Sequence, residues 1–136
     1  MNVIVCLDDN GGMMFNHRRQ SRDRVLIKDI IDNIGKNKLY VAPYSASLFE
    51  SCSNDHVCVS ESFLSLAGED DSCFVEDAEV MPYIGQIDRI TVYKWNRVYP
   101  ADVYFDLNPE TGWTLESVEE FTGSSHEKIT KEIYSK

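Results

Sequence analysis

Hydrophobic positions along the chain change period several times. Residues 2–7, NVIVCL, form a short β-branched run of the kind that makes a buried strand. Asp9-Asn10-Gly11-Gly12 follows, and Asn and Gly tolerate the positive φ of a tight turn. Leu26, Ile27, Ile30, Ile31 and Ile34 then recur at helical spacing and make one apolar stripe. Ser21 is the expected N-cap of that helix, with Asp23 in its first turn where the dipole favours an anion. Gly35 suits the position just past its end.

Leu39 to Ala42 reads as a second buried strand, stopped by Pro43, and Ser45 is placed to cap a short helix through Phe49. Val57 to Val59 is a third strand. Ser60 precedes a helix over Glu61 to Ala67 that Gly68 ends. Cys73 to Val75 is a fourth strand, with a short helix around Glu79 to Ile84 behind it. Arg89 to Trp95, RITVYKW, alternates cleanly as a strand; Val103 to Leu107 and Trp113 to Phe121 are two more. The tail SSHEKITKEIYSK admits two readings. Ser124 with Glu127 has capping-box spacing and favours a helix, whereas Ile129, Lys131 and Ile133 alternate as in the strand of an edge hairpin. The order predicts an α/β fold: a central mixed β-sheet flanked by helices, parallel at first and antiparallel late.

Length and composition sharpen this. The 136 residues suit a single α/β domain spanning 1–136, and 43% hydrophobic residues suffice for a core. Apolar runs fall far short of the roughly 20 residues that span a bilayer, so no membrane partner is expected. MNVIVCLDD reaches acid too early for a signal peptide, which points to the cytoplasm. The four cysteines form no CxxC pair, which argues against zinc and a dithiol redox pair and for reduced cysteines packed as small hydrophobes.

A net charge of −10 counts against non-specific nucleic-acid binding, which depends on neutralising phosphates. The charge is uneven. Up to Lys38 there are seven Lys and Arg against five Asp and Glu; the remainder has six against eighteen. Arg18, Arg19, Arg22, Arg24 and Lys28 form the only positive cluster. It reads as an anion site beside a helix start or as arginines paired with the chain's own acids. Met13-Met14-Phe15 in the same connection suggests a loop folded over a cleft.

Tyr93, Trp95, Tyr99 and Tyr104, with Arg97, give an aromatic stripe that either packs a sheet face or forms an interface. Glu69-Asp70-Asp71 is a solvated turn that does not match a calcium loop. His17, His56 and His126 are scattered, so a metallo-hydrolase such as a ribonuclease Z lacks its ligands. No GxSxG is present, and Gly123-Ser124-Ser125-His126 reads as a turn.

The order of these motifs resembles dihydrofolate reductase. VIVCLDDNGGMMF resembles that family's first strand and Asn-Gly turn, and KLYVAPYSASLFES its second strand and cofactor-helix start. HVCVSESFLSLAG resembles a later strand and helix. SCFVEDAEVMPYIGQIDRITVYKW resembles the strand, glycine pair, short helix and next strand, and YPADVYFD the turn with Asp102 at its aspartate. GWTLESVEEF with its Gly-Ser-Ser-His tail resembles the final hairpin, which implies a strand over Lys128 to Tyr134. The chain is shorter than that family by about one strand-helix unit.

The resemblance implies that Asp23 falls near the carboxylate that grips a pterin ring. It also marks two departures. Glu76-Asp77 stands where the family has a glycine pair against the cofactor diphosphate, and Pro43-Tyr44-Ser45-Ala46 replaces a Gly-Arg and a Thr. Both cofactor anchors are therefore expected to be lost, with no bound NADPH and no other cofactor or metal. The expected function is non-catalytic binding of an anionic or heteroaromatic ligand, or of a partner, near Asp8–Asp23. The candidate ligand residues are Arg18, Arg19, Arg22, Asp23, Tyr44 and Ser45; the candidate interface residues are Tyr93, Trp95, Arg97 and Tyr99. The alternatives are a reductase holding NAD(P)H at an altered site and a protein-interaction module using the acidic or aromatic surface.

Overall fold

The computed structural model describes residues 1–52 and 55–136. In chain order the strands are β1 (Asn2–Leu7), β2 (Gly12–Phe15), β3 (Arg18–Arg19), β4 (Leu39–Val41), β5 (Val57–Val59), β6 (Ser72–Val75), β7 (Arg89–Lys94), β8 (Val103–Tyr104), β9 (Thr114–Phe121) and β10 (Ile129–Ser135). The helices are α1 (Arg24–Ile34) and the single turn α2 (Phe63–Leu66), with 3-10 helices over Pro43–Cys52 and Met81–Gln86.

Seven strands make the main sheet, in the order β5-β4-β6-β1-β7-β10-β9. β1 runs parallel to β6 and β7, putting Val3 between Cys73 and Ile90, and Val5 between Val75 and Val92. Such a strand is covered on both faces, which is why NVIVCL carries apolar residues on both of its sides. On one face, Ile4, Phe74, Tyr93, Trp95 and Ile129 pack against Leu26, Ile27, Ile30 and Ile34 of α1. On the other, Val3, Val5, Val75, Ile90 and Val92 pack against Met13, Met14, Phe63, Leu64 and Val80. β10 and β9 close the sheet as an antiparallel hairpin.

Several local expectations are corrected. The N-cap of α1 is Asp23, not Ser21: its carboxylate accepts from the N–H groups of Val25 and Leu26. The segment through Phe49 is a 3-10 helix, and Ser45 points its hydroxyl at Glu76 rather than capping it. The helix expected over Glu61–Ala67 shrinks to Phe63–Leu66, and the one near Glu79–Ile84 is a 3-10 helix over Met81–Gln86. The tail is a strand. Ser124 spends its side-chain oxygen on the Arg24 N–H across the fold, not on a helix of its own.

The Asp8–Asp23 connection is not a simple loop. β2 and β3 form a hairpin whose turn residues, Asn16 and His17, have φ of 51° and 63°. Two consecutive left-handed residues are the signature of a two-residue hairpin turn. β8 adds to β2, making a second, three-stranded sheet. Val103 to Leu107 therefore contributes only the two-residue β8. Met13 and Met14 are buried in this layer, whereas Phe15 is exposed.

Candidate functional site

The C-terminal ends of β1 and β6, the start of α1 and the beginning of the Pro43–Cys52 helix meet at one place. Two carboxylates face each other across it. Asp23, on the α1 side, is fully enclosed. Beyond the two helix N–H groups, its oxygens accept from the backbone N–H of Ser124 (3.0 Å) and of Ser125 (2.8 Å) and from the Ser125 hydroxyl (3.0 Å). Burial alone would raise its pKa; the hydrogen bonds from Ser125, Ser124 and Leu26 outweigh that and hold the carboxyl well below the usual range. Gly123 permits this approach: a Cβ there would collide with Asp23 Oδ2. Asp23 thus has no edge left to grip a pterin-like ring, against what the resemblance implied.

Glu76, at the end of β6, accepts from Arg19 Nε (2.9 Å), Arg19 Nη2 (3.0 Å) and the Ser45 hydroxyl (2.6 Å). The Arg19 contact is a two-pronged fork, the strongest arginine–carboxylate geometry. Arg19 also sits 4.5 Å over the Tyr44 ring, donates Nη2 to the Tyr44 carbonyl, and uses its backbone N–H on the Tyr44 hydroxyl. The Glu76 hydrogen bond is the largest influence on the guanidinium and raises its pKa further. Arg19 therefore pairs with one of the chain's own acids.

Between the two carboxylates lies a void of about 20 Å³, walled by Cys6, Met13, Leu26, Phe74 and Trp95. That volume holds about one water. Burial pushes the Cys6 thiol well up, and the nearby charges of Glu76 and Asp23 add to it. Outside the void, His17, Arg18, Arg19, Ser21, Arg22 and Tyr44 line an open basin. Among the described residues Arg18 and Arg22 form no ion pair. Four of the sequence-derived ligand candidates, Arg18, Arg19, Arg22 and Tyr44, thus share one surface. Asp23 and Ser45 lie beneath it, each committed to an internal partner. A longer groove of about 780 Å³ continues from Arg22 past Arg24 and Lys28 over Ile27, Ile31 and Leu48.

The interface candidates divide. Tyr93 and Trp95 are buried, at 1% and 3% exposure, so they pack α1 and offer no surface to a partner. The Tyr93 hydroxyl donates to Asp29 at 2.6 Å, and Lys131 reaches the same carboxylate at 2.9 Å. Arg97 is exposed. Tyr99 turns inward and places its hydroxyl 2.9 Å from His126 Nε2.

Sequence reasoning missed the role of His126. It is buried, stacks on Trp95 at 4.5 Å, and has Nδ1 2.9 Å from the Ser125 hydroxyl. Ser125, His126 and Asp23 are therefore neighbours, but the hydroxyl is within donating distance of the Arg22 carbonyl (2.7 Å) and of Asp23. With its single proton so placed, the Ser125 hydroxyl has none to give to His126, and the backbone N–H groups of Ser124 and Ser125 are already spent on Asp23. The array is a clasp that pins the β9–β10 loop to α1. Only the adjacency of Ser125 and His126 was visible in the sequence. Among the described residues no group of three or more His, Cys, Asp or Glu side chains is placed to hold a metal ion, and no helix is long and apolar enough to cross a membrane.

No protein-family model matches the chain, and no curated protein matches its sequence. Solved structures do match its shape. The dihydrofolate reductase of Enterococcus faecalis, solved in complex with NADP(H) and RAB-propyl, superposes with a TM-score of 0.68 over 98% of this chain and 94% of that one, at 11% identity. Identity that low speaks for backbone topology and leaves the side-chain chemistry to this chain's own residues. The mixed seven-stranded sheet with its few helices is a dihydrofolate-reductase-like fold.

Proposed function

We propose that the chain is a binding protein without redox catalysis, holding an anionic group at the basin of Arg18, Arg22 and Tyr44. The observation that carries this reading is a pair of arginines that form no ion pair among the described residues, gathered beside an aromatic ring on an otherwise acidic molecule. Arginine forks suit phosphate and carboxylate. The Tyr44 ring, 43% exposed, offers stacking surface to a planar ligand. The four free cysteines suit a reducing, cytoplasmic setting.

Thermal-shift and NMR titrations with phosphorylated metabolites, folates and nucleotides test the proposal. Stabilisation by a phosphorylated compound, lost in Arg18→Ala/Arg22→Ala, is the expected result. No stabilisation by any of them at millimolar concentration overturns it.

A second reading is a reductase that holds a reduced nicotinamide in a new way, and the likeness to a protein solved with NADP(H) favours it. Against it stands the Glu76 carboxylate with Arg19 across the cleft, which leaves room for about one water. Fluorescence titration with NADPH separates the two: saturable binding that survives Arg18→Ala/Arg22→Ala would favour the reductase, and no binding at millimolar NADPH removes it.

A further inference from the structure

Arg19 belongs to two sites at once. Its Nε and Nη2 hold Glu76, while the same side chain lines the basin with Arg18 and Arg22. Its Nη1 has no hydrogen-bond partner among the described residues. The Arg19 side chain is 18% exposed and that of Glu76 8%, so the pair lies at the rim rather than sealed in the core. All three donors to Glu76 come from side chains, which can rotate without breaking a strand or helix.

We infer that Glu76 acts as an internal stand-in for the ligand: a phosphate group entering between Arg18 and Arg22 takes Arg19 from Glu76, and that exchange regulates binding. This rests on the anion-binding reading above. The incoming group meets Arg19 Nη1 first. It then competes for Nε and Nη2, which present the same planar fork to a phosphate as to a carboxylate. Glu76 keeps its Ser45 hydroxyl bond, so the displaced carboxylate is not abandoned without a donor. The exchange sets a threshold. Wild-type affinity is lowered by whatever it takes to break the internal fork, and only a group that forks Arg19 as well as Glu76 does gains entry.

The experiment uses the full chain with phenyl phosphate, which carries a phosphate and a ring for Tyr44, and with inorganic phosphate as a second probe. Affinities come from NMR or calorimetric titration. Glu76→Gln keeps the shape and an acceptor oxygen but loses the charge, and should bind phenyl phosphate about tenfold more tightly than wild type. Ser45→Ala, which leaves the displaced Glu76 carboxylate without a donor, should weaken phenyl phosphate binding relative to wild type. Asp77→Asn, a neighbouring charge that does not touch Arg19, controls for a general loss of negative field and should change affinity less than about twofold. The Arg19 Nε–H resonance should move on binding in the wild type, as its partner changes.

Equal affinity of wild type and Glu76→Gln, with Arg18→Ala/Arg22→Ala abolishing binding in both, overturns the exchange and leaves the binding site standing. An equal gain in Asp77→Asn overturns it too. No binding by wild type or Glu76→Gln at millimolar probe overturns the anion-binding reading itself.

Discussion

The two carboxylates that close the cleft, Asp23 at the start of α1 and Glu76 at the end of β6, look alike in the sequence and differ in what satisfies them. Asp23 takes four of its five hydrogen bonds from backbone N–H groups, two in its own helix and two in the β9–β10 loop. Glu76 takes all of its bonds from the side chains of Arg19 and Ser45. Backbone donors leave only when the segment unfolds. Side-chain donors can turn to another acceptor at the cost of a rotamer change. The first carboxylate is therefore a structural anchor, and the second is exchangeable. A buried acid in a cleft marks a binding site only when its partners are free to leave.

The largest effect should come from the anchor. Asp23→Ala removes the helix cap and strands the N–H groups of Ser124 and Ser125, and should lower stability by about 2–4 kcal/mol in urea denaturation. Gly123→Ala attacks the same anchor from outside, pushing a methyl group into Asp23 and Ile129. It should approach the Asp23→Ala loss, at about 1–3 kcal/mol. If either variant is as stable as the wild type, the clasp is not what holds the β9–β10 loop.

Glu76→Ala should cost less, about 1–2 kcal/mol, because Arg19 at the rim regains water once its partner is gone. A loss as large as that of Asp23→Ala would erase the distinction between anchor and latch.

Acid titration sharpens the contrast. The Asp23 carboxyl is held below its ordinary value in the folded chain, so the unfolded chain binds the proton first. Its stabilisation is complete above about pH 5 and fades as pH falls further. The stability gap between wild type and Asp23→Asn should therefore be constant near neutrality and narrow in the acid range. A gap that does not change with pH would mean that the hydrogen bonds do not favour the ionised form.

The smallest signal is a thiol rate. Cys6 lies between the two carboxylates, and both of their charges help to push its thiol up. Alkylation of Cys6 should be faster in Glu76→Gln than in the wild type. Cys73, whose thiol burial pushes up to about 12, should stay unreactive in both.

Much of the main sheet was legible in the chain. β1, β4, β5, β6 and β7 are short runs rich in apolar residues, and α1 shows an uninterrupted apolar stripe; both patterns are periodic within a few residues. The β2–β3 hairpin was not, because its turn is Asn16-His17, which lacks the glycine of the usual two-residue hairpin signal. The helix after β5 was expected too long, and those after β4 and β6 too regular. Those segments take 3-10 geometry, with Ser45 serving a partner in β6 instead of a cap. The tail was undecidable locally, since its Ser-x-x-Glu spacing and its alternation are both genuine. Pairing with β7 decides for the strand.

At the candidate site, residue types were readable and partnerships were not. Charge bias alone put Arg18, Arg19 and Arg22 together, because they are neighbours in the chain. The fate of each arginine was settled at long range. Arg19 meets Glu76, 57 positions away, and Asp23 meets Ser125, 102 positions away. Those meetings follow from strand order: placing β6 beside β1, and the β9–β10 hairpin beyond β7, carries distant loops to the same end of the sheet. Periodicity and local charge are properties of a few adjacent residues, so the sequence determined them by itself. Which acid neutralises which base depends on how the strands are stacked, and only the tertiary structure decided that.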